Sequence, residues 1–377
     1  MKATKVIGKI IAWLMGLLLL IPAIDGVFNI IDDRKLDGAV VLSDDAAFSW
    51  KGWWDGSWQP GKEAFLNDHF GYRGFFVRLY HELDFRIFGN LHARSVIYGK
   101  EGYLYEKDYI TSYYGEDYIG HANISDYVHL IKRVQDIIEQ QGKTFLLVIA
   151  SDKGSFYPEY FPDDMRRDKR DTTNYQVFLE EAKKSGIHFM DLSAQHRALK
   201  GKTEYLLYPK NGIHWSTYAM FLAADTMIKY IEQHQHLVLP HYRWSETELL
   251  HEKDQDYDLG RGLNLLFPLS GPKLGYPKAH TDFTNVKKKL SSVIIADSFY
   301  WGLFNMGFSE MFSDSKFWFY NNEIYPDHYN SPTFTRDVDI KETIGKNDVF
   351  ILMATEHNAY RVGWGFINRV AEAYPEN

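Results

Sequence analysis

The run Thr144-Phe145-Leu146-Leu147-Val148-Ile149-Ala150 is apolar at every position after its first. A strand with one wet face alternates apolar and polar residues; a strand without alternation must be covered on both faces. The pattern recurs in His188–Leu192, Val293–Ala296, Lys316–Tyr320 and Val349–Met353. Segments with helical apolar spacing lie between these runs, from about Asp126 to Gln140 and from about Thr173 to Lys184. A third opens at Ser216, a good N-cap residue, and carries Phe221, Met227, Ile228 and Ile231. Buried strands alternating with helices predict an α/β fold, a mostly parallel sheet with helices on both faces. Such sheets bind ligands beyond the carboxyl ends of their strands. Ala150-Ser151-Asp152, Asp297-Ser298 and Ala354-Thr355-Glu356 lie at such ends.

A different pattern occupies the N-terminus. Lys2, Lys5 and Lys9 precede the apolar run Ile10 to Ile24, which is interrupted only by Gly16 and Pro22. A positive flank followed by a hydrophobic core reads as an export signal or signal-anchor. Val6 to Phe28, with Lys9 snorkelling, is long enough to span a bilayer. Ala23-Ile24-Asp25-Gly26 is a poor match to a small-x-small cleavage site, which favours an uncleaved anchor over residues 1–35. The lysines place the N-terminus inside and everything beyond about residue 35 outside.

Residues 36–115 form an aromatic-rich extension. Within it, Asp68 to Arg73 leads into an amphipathic helix whose apolar face would carry Leu79, Leu83 and Ile87, with Gly89 ending it. Val96 to Tyr105 has the pattern of a β-hairpin around a glycine-bounded turn. The α/β domain would then occupy 116–377, with an insertion at about 240–290 of weak periodicity that reads as a lid or partner-facing loop.

Composition removes several classes of function. A net charge of -8 leaves no basic stripe for a nucleic acid. The absence of cysteine excludes disulfides, thiol catalysis and thiolate metal sites. The histidines show no His-Glu-x-x-His pattern; His234 and His236 sit two apart in a polar tail, a solvated arrangement more than a ligating one. Neither Gly260-Arg261-Gly262 nor Gly363-Trp364-Gly365 follows a strand as a nucleotide loop must. No cofactor or metal is expected. Aromatic residues reach 16%, which serves either a tyrosine-rich core and surface or flat platforms for sugar rings.

The chemistry concentrates in two runs. Ser298 ends the strand Ser292-Val293-Ile294-Ile295-Ala296, and His214 follows Tyr208-Pro209-Lys210-Asn211-Gly212-Ile213. A serine at a strand-to-helix junction with a histidine available is the minimal equipment for acyl transfer. N–H groups at the start of the helix beyond Ser298 would receive a developing oxyanion. Either residue alone has a bland reading: serine is common at helix starts, and a histidine beside Trp215 packs well.

Taken together, these runs resemble a known family. Ile295-Ala296-Asp297-Ser298-Phe299 is similar to the Gly-Asp-Ser block of SGNH hydrolases, with Ala296 in the glycine position. The order of histidine motif before serine block resembles the AlgJ/AlgX-like alginate O-acetyltransferases. So do Asp68–Arg73, Gly99-Lys100-Glu101-Gly102-Tyr103-Leu104, Lys153-Gly154-Ser155-Phe156-Tyr157-Pro158-Glu159 and the His214-Trp215 pair. The resemblance covers most of the chain from about residue 60. It implies an SGNH-like α/β fold, export or membrane anchoring, exopolysaccharide acetylation, Ser298 as nucleophile and His214 as general base. It also implies a multi-spanning membrane acyltransferase as partner on the donor side.

One departure stands out. The family motif is Asp-x-His-Trp, and here the aspartate position is Gly212. The orienting group could be the Asn211 amide, or Asp152, Asp191 or Glu356 approaching from strand ends; a dyad could work alone; or the site could be inactive and the domain a polymer-binding scaffold of an export complex. Asp297 would cap the next helix or brace the nucleophile loop. Asn321, Asn322 and Asn358 are candidate oxyanion donors by position after strands. Arg73 and Lys153 read as structural or substrate-contacting. The expected function is a membrane-anchored, outward-facing polysaccharide O-acetyltransferase working through a serine acyl-enzyme. Its alternatives are a deacetylating esterase with the same pair, or the non-catalytic scaffold.

Overall fold

The computed structural model describes residues 2–28, 30, 34–38 and 41–375. Residues 1, 29 and 31–33 of the expected anchor region lie outside the described residues. The chain divides into two units, one of residues 1–94 with 260–269, the other of residues 95–259 with 270–377.

The second unit holds the sheet that the apolar runs predict. Across it lie Glu323–Tyr325, Asp314–Phe319, Ser291–Ala296, Val349–Thr355, Thr144–Ala150 and Phe189–Asp191, in that order. All neighbours are parallel except the first pair, an antiparallel edge hairpin. Every residue of Thr144–Ala150 and Val349–Thr355 is buried, as expected of central strands covered on both faces. Phe145, Leu147, Ile149, Phe350, Leu352 and Ala354 join one core with the helices His121–Glu139, Asn174–Ser185 and Phe366–Ala373. The intervening residues point to the opposite face, because side chains alternate along a strand. On that side runs Thr217–Gln235, opened by Ser216, whose hydroxyl accepts from the Ala219 N–H. Each fully buried aliphatic side chain in this core contributes about 1.5–3 kcal/mol relative to exposure.

The sequence order explains where a crevice opens. From Thr144–Ala150 the chain moves outward to Phe189–Asp191, then returns on the far side at Ser291–Ala296 and moves outward again. Val349–Thr355 fills the gap between the two halves. The carboxyl ends of Ser291–Ala296 and Val349–Thr355 therefore flank a switch point.

The segment at about 240–290, read as a lid or partner-facing loop, carries regular structure. It contains the antiparallel pairs His241–Arg243 with His280–Asp282 and Thr247–His251 with Lys273–Pro277. Strands of three to five residues are too short to show periodicity in sequence. The hairpin Val96–Tyr98 with Leu104–Glu106 forms as expected, and it belongs to the second unit.

The first unit is helical: Lys2–Phe28, Trp50–Asp55, Gln59–Asp68 and Arg73–Phe88. Val6–Gly26 is apolar and long enough to cross a membrane, and 6% of its most apolar window is buried. Arg73–Phe88 ends at Gly89 in the left-handed region, as read from the sequence. Its inner face differs from the expected one. Leu83 and Ile87 are 50% and 64% exposed, whereas Arg78 and Glu82 are buried. The reason is polar: the Arg78 guanidinium donates to the carbonyls of Arg34 and Lys35, and Glu82 accepts from the Phe267 N–H and from Arg86. Arg73 pairs with Asp68 at 3.2 Å.

Candidate active site

Ser298 stands two residues beyond the end of Ser291–Ala296, in the turn before the short helix Tyr300–Asn305. Asp297 fixes that turn. Its Oδ1 accepts from the Phe299 N–H at 3.1 Å, and its Oδ2 accepts from the Thr355 N–H, the Thr355 hydroxyl and the Asn358 amide at 2.9, 2.9 and 3.1 Å. The carboxylate thus ties the nucleophile turn to the end of the neighbouring strand. It is a brace and does not touch His214.

His214 faces Ser298 across the switch point, with Nε2 at 3.2 Å from Oγ. Its Nδ1 lies 2.5 Å from Oδ2 of Asp258. Oδ1 of Asp258 accepts from the Ile213 and Leu259 N–H groups at 2.8 and 2.7 Å. Serine, imidazole and carboxylate form one chain of contacts. Burial by itself would depress the imidazole pKa, but the charge and hydrogen bond of Asp258 outweigh it and hold His214 above its ordinary value. Burial likewise pushes the Asp258 carboxyl up, and the contacts with His214 and the two N–H groups more than reverse that and hold it low.

Asp258 was not among the sequence candidates. It lies 44 residues after His214, within the insertion at about 240–290, and no spacing motif links the two. A signal does exist at Gly212. A Cβ there would stand 2.6 Å from the carbonyl oxygen of Asp256. The backbone of the turn that delivers Asp258 occupies the space an aspartate side chain would need, so glycine at 212 and the acid at 258 are two parts of one arrangement.

The other proposed partners lie elsewhere. Asn211 spends its amide on Glu252 at 2.6 Å and does not reach the imidazole. Asp152 caps Ser155, and Asp191 caps Ala194 and accepts from Tyr175. Glu356 pairs with Arg197 and accepts from Ser155. Asn321 donates to the Trp364 carbonyl, and neither it nor the exposed Asn322 lines the cavity. Asn358 does line it, but its amide nitrogen is committed to Asp297 and Thr355.

The expected helix N-terminus is also occupied. The Phe299 N–H goes to Asp297 Oδ1, and the Tyr300 N–H to the Asp297 carbonyl. Tyr320, absent from the sequence candidates, lines the same cavity as Ser298 and His214. Burial raises its phenol pKa, and hydrogen bonding from Ser298 opposes that rise. Tyr320 and Asn321 adopt left-handed backbone at φ 49° and 50° just past the strand.

The loop bearing His214 is stapled from below. Lys153 is fully buried, and its ammonium donates to the carbonyls of Pro209, Lys210 and Gly212 at 3.2, 2.9 and 2.5 Å. Burial pushes it down to about 7, against the pull of Asp258 and Glu252. Trp215 is buried and packs on His196 and Phe299, a structural role. The site opens into a cavity of about 330 Å³ that contains Ser298, His214, Tyr320, Tyr109 and Glu106. Among the described residues no group of three His, Asp or Glu could hold a metal ion.

The family described as an SGNH hydrolase-like domain, acetyltransferase AlgX, matches residues 96–283, a span that contains His214 and Asp258 and stops before Ser298. The probable alginate O-acetylase AlgJ of Pseudomonas syringae pv. tomato is 28% identical over 173 residues, 46% of this chain and 42% of that protein. Its counterpart in Pseudomonas putida is 22% identical over 151 residues, 40% of this chain and 37% of that protein. The matched part is thus about two fifths of each relative's length. Among solved structures, the O-acetyltransferase domain of Pseudomonas putida AlgJ aligns with a TM-score of 0.49 and 15% identity over 74% of this chain and 99% of that one. Pseudomonas aeruginosa AlgX aligns with a TM-score of 0.44 and 14% identity over 73% and 67% of the two chains.

Proposed function

We propose that this chain, a member of the AlgJ/AlgX-like family of SGNH hydrolase-like proteins, is a polysaccharide O-acetyltransferase held at a membrane by Val6–Gly26 with its α/β domain on the non-cytoplasmic side. The observation that carries the reading is the imidazole of His214 set between Ser298 Oγ and Asp258 Oδ2. An orienting acid at Asp258 supports a working site over a scaffold, because it supplies what Gly212 lacks.

The mechanism we infer is ping-pong. Ser298 Oγ attacks the donor's acyl carbonyl while His214 Nε2 takes the hydroxyl proton. The carbonyl oxygen becomes an oxyanion beside the Ser298 N–H and the Tyr320 hydroxyl, which can donate to it. Collapse breaks the bond to the leaving group, which carries away the proton from His214 and leaves acetyl-Ser298. A sugar hydroxyl then enters, gives its proton to His214, and attacks the ester; the returning proton regenerates the serine. Asp258 keeps the Nδ1–H tautomer and stabilises the imidazolium in each half. The acetyl donor would reach the outer face through a multi-spanning membrane acyltransferase, by analogy with the family.

The test is intact mass after incubation with 4-nitrophenyl acetate. The expected result is an adduct of about 42 Da on the wild type, absent in Ser298→Ala and His214→Ala. No adduct on folded protein would remove the acyl-enzyme. Adding unacetylated glycan to the acylated protein then separates transfer from hydrolysis.

A further inference from the structure

Three carboxylates line the cavity, from Glu106, Asp258 and Asp297, and no lysine or arginine does. Two of the three are spent. Asp258 serves His214 and two backbone N–H groups, and Asp297 receives four donors. Glu106 is different. It stands at the end of the hairpin strand Leu104–Glu106 and precedes the helix Lys107–Tyr114, yet its side chain does not cap that helix and makes no hydrogen bond among the described residues. Burial raises its pKa, and His214 pulls the other way.

His214, held above its ordinary pKa, is paired with Asp258, and the other cations near the site do not compensate. Lys153 is buried beneath the loop and spent on three carbonyls. Arg361 is exposed and directs Nε and Nη2 at the Asn358 amide oxygen. His357 lies in the wall, but burial and Arg361 push it down to about 3, so it is neutral. An anionic sugar entering here meets uncompensated negative charge in a partly enclosed space, where Coulomb repulsion is strong.

We propose that Glu106 is the acceptor-selecting residue of this pocket: its carboxyl accepts hydrogen bonds from the hydroxyls of an uncharged sugar unit and turns away a uronate. This rests on the acceptor entering the pocket assigned above. A carboxylate takes two hydroxyl donors at once, a fit for the vicinal hydroxyls of a pyranose. Glu106 then orients a hydroxyl within the cavity it shares with Ser298 without any positive charge.

The experiment uses the full chain as Ser298→Ala in detergent, titrated with β-1,4-mannotetraose and its C6-oxidised twin, β-1,4-mannuronate tetramer. The neutral tetramer is expected to bind at least about tenfold more tightly, and added salt should tighten the uronate by screening the repulsion. In the Glu106→Gln, Ser298→Ala double variant the ratio should fall to near unity, chiefly by improved uronate binding. A uronate that binds as well as its neutral twin, a ratio unchanged by Glu106→Gln, uronate binding weakened by salt, or binding of neither would each overturn the proposal. Acylation of the wild type by 4-nitrophenyl acetate is read in parallel. Its failure strikes the catalytic reading, while the binding ratio still decides the selectivity.

Discussion

Ser298 and Asp258 flank the same imidazole, yet the chain holds them by unlike means. Ser298 is mounted on a strand with parallel ladders on both sides, Ala296 in register with Phe319 and Met353, and Asp297 bolts the turn beyond it. Moving it would shear a buried sheet. Asp258 follows a short turn, Asp254–Tyr257, that pairs with no strand. It is positioned by close backbone approach at Gly212, by the Thr217 hydroxyl on Asp256 at 3.0 Å, and by its own bonds to Ile213 and Leu259. The sheet side resists displacement through cooperative main-chain bonding, and the acid side through a few polar clamps. Single substitutions on the acid side should therefore change chemistry while the fold survives.

The strongest way to break this contrast is Asp258→Asn. Loss of the orienting carboxylate permits the wrong tautomer and is expected to slow acylation about 10⁴-fold. The pH profile adds a sign. His214 must be neutral to act as base, and Asp258 holds it above its ordinary pKa, so wild-type acylation should rise with pH through that raised value. In Asp258→Asn the residual rate should rise at lower pH, with the thermal midpoint nearly unchanged. Burst kinetics with 4-nitrophenyl acetate across pH reads both. Next in size is Tyr320→Phe. If the phenol holds the oxyanion, acylation should fall about 10²–10³-fold, the loss typical of one oxyanion donor, with the pH midpoint staying in place. A shifted midpoint would mean that Tyr320 acts on His214 instead.

The contrast also explains what could be read from sequence. The parallel sheet was legible because a strand buried on both faces leaves an unmistakable run, as in Thr144–Ala150. Ser298 and His214 were legible as residues brought together, since a strand end fixes the one and a family motif marks the other; the 3.2 Å between them is the geometry that both implied. Asp258 was hidden, because an acid needs only to arrive in space, and its turn lies in a segment whose strands are too short to announce themselves. Tyr320 was hidden by a backbone turn into the left-handed region that tyrosine does not advertise. The exposed Leu83 and Ile87 were misread for a related reason: apolar periodicity assumes an apolar interior, and here Arg78 found backbone carbonyls to bind.

A third substitution sharpens the role of Gly212. Gly212→Ala puts a methyl 2.6 Å from the Asp256 carbonyl oxygen, which cannot be accommodated without shifting the turn that carries Asp258. A displacement near 1 Å costs roughly 10²-fold in rate, so acylation should drop by about that factor. Restoring the family residue should not help: Gly212→Asp in the Asp258→Asn background is expected to remain inactive, because backbone already fills the space. Recovery of acylation in that double variant would show that the two acid positions are interchangeable and that the clamp is dispensable.

The smallest effect on rate should come from Lys153→Met. The imidazole keeps both of its partners, and only the staple beneath its loop is lost, so acylation should fall by about tenfold. Stability carries the sharper signature. Lys153 titrates near 7 in the folded protein because of burial, against an ordinary lysine pKa of about 10.4 in the unfolded chain. Between those values the unfolded chain holds a proton that the folded one has released, so this residue makes stability rise with pH across that window and contributes no slope below it. Urea midpoints measured at pH 7 and pH 10 should therefore separate more in the wild type than in Lys153→Met. Equal separations would mean that the lysine is ionised throughout, and the loop bearing His214 would then be held as firmly as the strand bearing Ser298.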